Sequence, residues 1–552
     1  MSLSPLMSLG MKALAANYAA LQTTGNNIAN ASVVGYSRQQ VELSTSPGQF
    51  TGAGFFGRGV DVASVTRSHD EFLTREAAAT KAMASMDSAR LAKLQQLETI
   101  FKPGEGGLGD ATTQLFNAFV DMASQPNDLS ARQVALARAA DLASRFNESA
   151  SALKSIQDGV DADLGVSVAQ VNSLARSIAN ANQRIVELRG LGQPANDLLD
   201  ERDRLIGKLS EQLQVTRIDA PDGSVGVFIG GGQRLVLGSN AAELKLVPDA
   251  SDPTRSAVAV MDGSNPRTLD ESVLGGGKVA GLLRFQNNDL AAARDLLGEL
   301  ASEVTTAVND QQARGLTLGQ AAGPALFALD PANGIGMTVL LADPKDLAAA
   351  SPLVATTAAT NLGTAAVAEL RVTAAPLPFP GVSETFTFAD AVAPATGFTY
   401  TSSLTGVALP WVPGQALQGA NGFTLQISGV PAAGDVIAVD PTPASALASN
   451  NGNALSLAAL RDAALVGGRT LTDAWAQAMA DVGVRTQSAQ ASSEISTAVA
   501  DQAELSRSSQ AGINLDEEAA RLIQYQQSYQ AAAKVLQVAQ AIFDTLLQTA
   551  AR

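Results

Sequence analysis

The feature that most constrains this chain is a heptad stripe near its C-terminus. Leu515, Leu522, Tyr529, Leu536 and Phe543 recur every seventh residue, with Tyr525, Ala532, Ala539 and Leu546 on the companion positions. Apolar side chains at that spacing form a coiled-coil seam, so Ile513 to Thr549 is expected to be one long helix with a partner. Asn514, followed three residues later by Glu517, reads as a capping box. Asp516, Glu517 and Glu518 place negative charge where the helix dipole favours it. At the other terminus Met7, Leu14, Leu21 and Ile28 also recur every seventh residue, behind Ser4 as a cap and Pro5 at the first helical position. The two stripes are expected to pack together.

The chain has 552 residues, too many for one core, so three or four domains of about 150 residues each are expected. Hydrophobic residues make up 46% of the chain and aromatics only 4%. A core of Ala, Leu and Val suits closely approaching helices better than a deep ligand pocket. The formal charge of -16 opposes nucleic acid and anionic membrane as partners, because affinity for a polyanion comes from Lys and Arg. With no cysteine and one histidine, zinc sites, thiol catalysis and most histidine-based acid-base schemes are excluded or crippled, and no metal or cofactor is expected. His69, in the polar run Arg67-Ser68-His69-Asp70, is expected to be an ordinary surface side chain. No window approaches the roughly 18 to 20 apolar residues of a membrane span. The first residues do not read as a secretory signal, since their apolar side chains form a helical stripe and Lys12 is their one positive side chain.

Several local patterns imitate chemistry and fail on context. Gly52, Gly54 and Gly57 match G-x-G-x-x-G, but Phe55 and Phe56 fill the loop and strand-like residues follow where a dinucleotide fingerprint opens a helix. Gly275 to Gly277 before Lys278 imitate a phosphate loop, yet Ser272 and Val279 break the motif. Glu201, Arg202, Asp203 and Arg204 read as the solvated face of an amphipathic helix. Trp411, between Pro410 and Pro413, reads as a small-core plug.

Helical periodicity dominates from Glu71 to Leu213, including a long pattern from a capping box at Ser130 to Gln133 that carries Leu142, Phe146, Leu153, Ile156, Val160 and Leu164. Alternation at Val225, Val227 and Ile229 marks a first β-rich unit. Phe386, Phe388, Phe423, Leu425 and Ile427 mark a second. The expected fold is α+β and multidomain: a helical stem built from both termini with β-rich domains inserted in its middle. The expected parts are a terminal helical domain (1–60 and 505–552), a helical stem (61–213, 278–320 and 452–504) and β insertions at 214–277 and 330–450. Burial against one partner helix does not offset the entropy of ordering both ends, so about the first thirty and the last forty residues are expected to be poorly ordered in the free monomer and to fold when neighbouring subunits cover them.

The run NNIANASVVGYSRQQ, Asn26 to Gln40, is where the sequence resembles a known family. Asn26, Asn27 and Asn30 compete with the backbone for hydrogen bonds, Gly35 supplies a permissive turn, and Tyr36 and Arg38 lead into a strand. This stretch resembles the N-terminal signature of the bacterial flagellar axial proteins, and its GYSRQ ending resembles the hook-associated protein 1 family among them. Gly54 to Thr80, Leu198 to Gln212 and Lys278 to Gly315 resemble the same family, while Gly512 to Leu547 is shared in style with hook and rod proteins.

The resemblance implies a structural subunit and no enzyme, joining hook to filament and assembling with itself, the hook subunit, and a second junction protein and flagellin on the filament side. It also implies export through the flagellar type III apparatus to the extracellular flagellum, with a cytoplasmic chaperone covering the C-terminal helix beforehand. A hook subunit or flagellin is the nearest alternative. A secreted adhesin or hydrolase using carboxylates such as Asp435 and Asp440 is a more distant one.

Overall fold

The computed structural model describes residues 4–51, 54–101, 104–374, 382–390 and 397–550, without the side chains of Ser4, Pro5, Gln49, Thr51, Phe55, Leu546 and Ala550. The seam position Leu546 is therefore outside the described side chains. The chain forms two compact units, one from residues 1–94, 157–287 and 486–552, the other from 95–156 and 288–485.

The first unit contains both terminal helices, α1 (Ser4–Asn30) and α11 (Leu515–Ala550), which lie against each other. Two contacts fix their sense. A Cβ on Gly10 would stand 3.3 Å from Leu536 Cδ1, and Asn27 bonds Glu518. An advance along α1 therefore matches a retreat along α11, so the helices are antiparallel. Ala532 and Ala539 are buried on α11, as are Ala16 and Ala20 on α1. Small side chains let helix backbones approach closely. The larger heptad residues Met7, Leu14, Leu21, Ile28, Leu522, Tyr525 and Leu536 are half-buried. Leu515 (54% exposed), Tyr529 (37%) and Phe543 (43%) reach solvent. The packed face is thus rotated from the expected seam toward Tyr525, Ala532 and Ala539, because one partner helix covers only one flank of a wide stripe.

Strands β1 (Gln39–Thr45) and β4 (Val60–Arg67) form an antiparallel ribbon beside α1, with the shorter pair β2 (Gln49–Thr51) and β3 (Gly54–Phe56) between them in sequence. So Gly54 opens a hairpin strand instead of a nucleotide loop, while Gly52 lies outside the described residues. Helix α2 (Glu71–Glu98) follows, then α3 (Leu108–Ser124), α4 (Leu129–Gly190) and α5 (Asn196–Gln212). On α4 the expected stripe is core: Leu142, Phe146, Leu153, Val160 and Leu164 are buried. Its cap is Asp128, whose Oδ1 accepts the Ser130 N–H at 2.8 Å, and not the expected Ser130. A carboxylate two residues before that N–H outcompetes a hydroxyl for the same job.

The first β insertion has a sheet in the order β5 (Thr216–Asp219), β6 (Val225–Ile229), β7 (Gln233–Leu237), β8 (Asn240–Ala241). A second sheet runs β11 (Asn265–Thr268), β10 (Ser256–Asp262), β9 (Leu244–Pro248). Helix α6 (Glu271–Leu274) and the triple glycine then lead into α7 (Lys278–Arg284). Gly277 has φ +95°, and a Cβ there would lie 2.5 Å from Leu213 N. Close backbone approach, not phosphate binding, requires that glycine.

The second unit takes the N-terminal part of α4, α3, α8 (Ala291–Ala313), α9 (Gly452–Ala459) and the start of α10 (Leu471–Ala511). Trp475 stacks on Phe101 at 5.4 Å, and Gly109 makes room for its indole. The short pair β12 (Phe327–Leu329) and β13 (Met337–Val339) precedes the second insertion. There, β14 (Leu353–Thr357), β21 (Val436–Pro441), β16 (Glu384–Asp390), β17 (Phe398–Ser402) and β18 (Ala408–Trp411) form one sheet in that order. The other sheet is β15 (Ala366–Val372), β20 (Phe423–Ser428) and β19 (Leu417–Gly419). Their inner faces share one core in which Phe386, Phe388, Tyr400, Phe423 and Trp411 meet edge to face. Trp411 is the plug expected, 1% exposed, with Nε1 donating to Gln415 O at 2.7 Å.

Candidate functional site: the joint between the terminal helices

The chemistry of the Asn26 to Gln40 stretch centres on one buried amide. Asn27, on the last turns of α1, is 1% exposed. Its Nδ2 donates to Gln39 O at 2.8 Å and to Glu518 Oε2 at 2.9 Å. Its Oδ1 accepts from Gln39 N at 3.0 Å and from the Tyr36 hydroxyl at 3.1 Å. Two donors and two acceptor positions are the full capacity of an Asn side chain, so this amide is completely used. Asn26 and Asn30 act locally. Asn30 Nδ2 donates back to Asn26 O at 2.9 Å, and Asn26 Nδ2 reaches Tyr36 Oη at 3.3 Å.

Gly35 lets the loop reverse at φ +84°, against the aliphatic stem of Arg204. The chain then runs as a clamp. Ser37 N donates to Asp200 Oδ2 at 2.9 Å, Arg38 N donates to Ala511 O at 2.8 Å, and Gln39 Nε2 donates to Asp197 Oδ1 at 3.0 Å. Arg38 Nε meets Glu518 Oε1 at 2.7 Å, with side chains 16% and 1% exposed. One carboxylate on α11 thus receives both the Asn27 amide and the Arg38 guanidinium. Breaking a pair buried to this degree costs more than losing a surface ion pair, because the remaining charge stays desolvated. Burial together with the charges of Asp197, Asp200 and Glu518 pushes the Tyr36 phenol up to about 12.

A second layer supports the clamp from below. Arg67, at the end of β4, bonds Asp200 Oδ1 and Asp203 Oδ2, each at 2.7 Å, and Arg217 bonds Asp203 Oδ1 at 2.6 Å. Burial works against the Asp203 carboxylate, but Arg67, Arg217 and His69 outweigh it and hold the group below its ordinary range. Arg202 is 2% exposed and donates to Gly223 O at 2.7 Å, its pKa drawn down to about 10 by burial and by Arg217. The expected solvated charge face is therefore only half correct. Glu201 and Arg204 pair at the surface, while Arg202 and Asp203 point inward. His69 is likewise no ordinary surface side chain. It is tucked 3.8 Å from Asp203 because the residues after β4 fold over α5, and burial, then Arg67, pushes its imidazole below the usual value.

Beside the joint, α2, α5, the end of α10 and the Val33 to Ser37 loop enclose a cleft of about 720 Å³. Its floor includes Ala77, Ile206 and Ala500, and Val33 and Val34 stand at its rim. Among the described residues no cluster of three or more His, Asp or Glu is placed to hold a metal ion. Asp435, the carboxylate offered to a hydrolase, accepts the N–H groups of Leu362, Gly363 and Ala432 at 2.7 to 3.0 Å and is a loop clamp.

Glu518, Asp200, Asp203, Arg67 and Arg217 are the residues that sequence reasoning missed. Glu518 was visible only as one of three acids at a helix start, and nothing local distinguishes it from Asp516 and Glu517.

Three family models match parts of the chain. A model described as "Flagellar hook-associated protein FlgK helical domain" matches residues 94–327. "Flagella basal body rod protein" matches 7–36, and "Flagellar basal body rod FlgEFG protein C-terminal" matches 506–549. Flagellar hook-associated protein 1 of Salmonella typhimurium is 31% identical over 566 residues, spanning 99% of this chain and 100% of the relative. The Escherichia coli protein of the same name is 29% identical over 576 residues with the same coverage. The flagellar hook junction protein FlgK from Burkholderia pseudomallei, 23% identical, shares the fold with a TM-score of 0.69 over 79% of this chain and all of that one. Identity of that order along the whole length makes this chain a member of the flagellar hook-associated protein 1 family.

Proposed function

We propose that this chain is a non-enzymatic subunit of the bacterial flagellum that joins hook to filament and assembles through α1 and α11. The observation that carries the reading is the state of the terminal pair. Within one chain the helices are already matched through the Asn27, Arg38 and Glu518 joint, yet their outer faces stay apolar. Met11 and Tyr18 on α1, and Ile523, Val538, Ile542 and Leu547 on α11, are each at least 44% exposed. A surface of that kind is the mark of a partner still to come. The seam residues Leu515, Tyr529 and Phe543 belong to this outer face, and Met7, Leu14, Leu21, Ile28, Leu522, Tyr525 and Leu536 to its inner flank. Neighbouring copies would complete the cover of these faces.

The partners follow from the family: further copies of the chain, the hook subunit on one side, and a second junction protein and flagellin on the other. Export through the flagellar type III apparatus, with a cytoplasmic chaperone over α11 until release, belongs to the same reading. Covering an apolar stripe before assembly prevents premature association. No helix among the described residues is long and apolar enough to cross a membrane.

The test is a strain lacking the chain. Hooks without filaments and free flagellin in the medium are expected, and normal filaments there would refute the junction role. The hook subunit and flagellin readings predict loss of the hook itself, or intact hooks and junctions without flagellin.

A further inference from the structure

This inference rests on the reading of the chain as a self-assembling subunit and names a contact between copies. It starts from α10, whose 486–511 part belongs to the first unit and is turned the wrong way for a helix serving that unit alone. Every buried position there is small: Thr486, Ala489, Ser493, Ala500, Ala503 and Ala511. The three large apolar residues of the same stretch, Ile495 (66%), Val499 (50%) and Leu505 (62%), are exposed. A helix whose orientation is set by its own core shows the opposite division. Ala491, Ile495, Ala498, Gln502 and Leu505 stand at alternating steps of four and three and are all exposed. That is the spacing of a seam that receives another helix.

Charge selects that helix. From 486 to 506 α10 carries Glu494, Asp501 and Glu504 and no Lys or Arg. Glu504 is engaged by Arg507, while Glu494 and Asp501, seven residues apart on one flank of the seam, have no cation among the described residues. The matching helix must present two unengaged cations at a similar spacing with no acid between them. In the first unit α4 does so. Its stretch 164–186 holds Arg176 and Arg184, eight residues apart, both exposed and neither paired, and no Asp or Glu. On α1, α7 and α11 a cation is already held, Lys12 by Asp61, Lys278 by Asp163 and Arg521 by Glu517, which leaves one free cation at most on each. Helices α2 and α5 interleave both signs. Shape agrees with charge, since the exposed residues beside the two arginines include Ser173 and Asn180, small enough to receive Ile495 and Leu505.

Both faces are exposed in the single chain, so they do not meet within it. Spacings of seven and eight residues differ by about 1.5 Å along a helix axis, well within the reach of an arginine side chain. We propose that the outer face of α10 in one copy packs on the Ser173 to Arg184 face of α4 in a second copy, with Glu494 and Asp501 opposite Arg176 and Arg184. The contact uses different patches on the two copies, so it repeats through an assembly instead of closing as a dimer.

All four charged residues are exposed, so reversing them leaves the fold of the single chain in place. Glu494→Arg with Asp501→Arg, or Arg176→Glu with Arg184→Glu, should each cause loss of the full chain from isolated flagella on immunoblot, because like charges then face each other. All four substitutions together should restore it, a result that a folding defect cannot give. The chain has no cysteine, so flagella carrying Ala498→Cys with Asn180→Cys, treated with a short bismaleimide, should yield covalent multimers that neither single variant gives. Undiminished incorporation of both charge-reversed pairs, or a loss that the fourfold variant does not restore, would overturn the contact while leaving the junction role intact. Absence of the wild-type chain from flagella would overturn both.

Discussion

Asn27 and Glu518 stand 491 positions apart in sequence and 2.9 Å apart in space, and the bond between them ties the first helix to the last. Asn27→Ala would leave the Tyr36 hydroxyl, both polar groups of the Gln39 backbone and one Glu518 oxygen without their partner. Loss of a fully used buried amide should destabilise the first unit by about 1 to 3 kcal/mol. Urea unfolding of the full chain, followed by a probe on α1, would measure it. A change below about 0.5 kcal/mol would mean that water replaces the amide without loss.

Arg38 and Glu518 should be coupled beyond their separate contributions. A double-mutant cycle of Arg38→Met and Glu518→Gln is expected to return an interaction energy of about 1 to 3 kcal/mol, since neither charge can be resolvated in place. Arg38→Lys should recover only part of it, because a lysine ammonium cannot keep the directed Nε contact. Additive single effects would place the pair among surface ion pairs of little worth.

His69 predicts a pH dependence with a definite sign. Its folded-state pKa lies below the unfolded value, so the unfolded chain binds the extra proton first. The stability it contributes is present above about pH 6.5, the ordinary imidazole value, and is lost as pH falls through that value toward the folded pKa. Melting temperature should therefore decline from pH 7.5 to 5.5, and His69→Gln should flatten the decline. As the chain's sole histidine it is the natural group to titrate in that window. An identical slope in the variant would remove it from the account.

Val538→Asp and Ile542→Asp test the outer face of α11. Both side chains are exposed in the single chain, so unfolding free energy should change by no more than about 0.5 kcal/mol. Incorporation into flagella, read by immunoblot of isolated filaments, should fall sharply. Full incorporation of both variants would show that neighbours do not use this face.

How far sequence reaches here depends on the distance over which the information acts. Heptads and alternation are local, so α1, α11, the α4 stripe and both β insertions were legible, as was Trp411 as a core plug. The precise packed face of α11 was not. Leu515, Tyr529 and Phe543 satisfy the repeat as well as Leu522 and Leu536 do, and only the position of α1 separates them. The joint was half legible: Asn27, Gly35, Tyr36 and Arg38 were singled out by their motif, while Asp200, Asp203 and Glu518 looked like ordinary helix-surface acids. Asp200 depends on Arg67, 133 positions away, and Glu518 on Asn27, 491 positions away, and no spacing encodes that. The same holds for Gly277, whose lack of a side chain is explained only by the backbone of Gln212 and Leu213 beside it.

The antiparallel joint also has a bearing on synthesis. A nascent polypeptide is made from its N-terminal side onward, so the asparagine is in the open long before the glutamate that will hold it has been translated. The leading helix has to wait until 491 further residues have been joined. Any delay before Glu518 is joined would prolong that single-handed state, leaving the front of the molecule without its clasp while the rest is still being made.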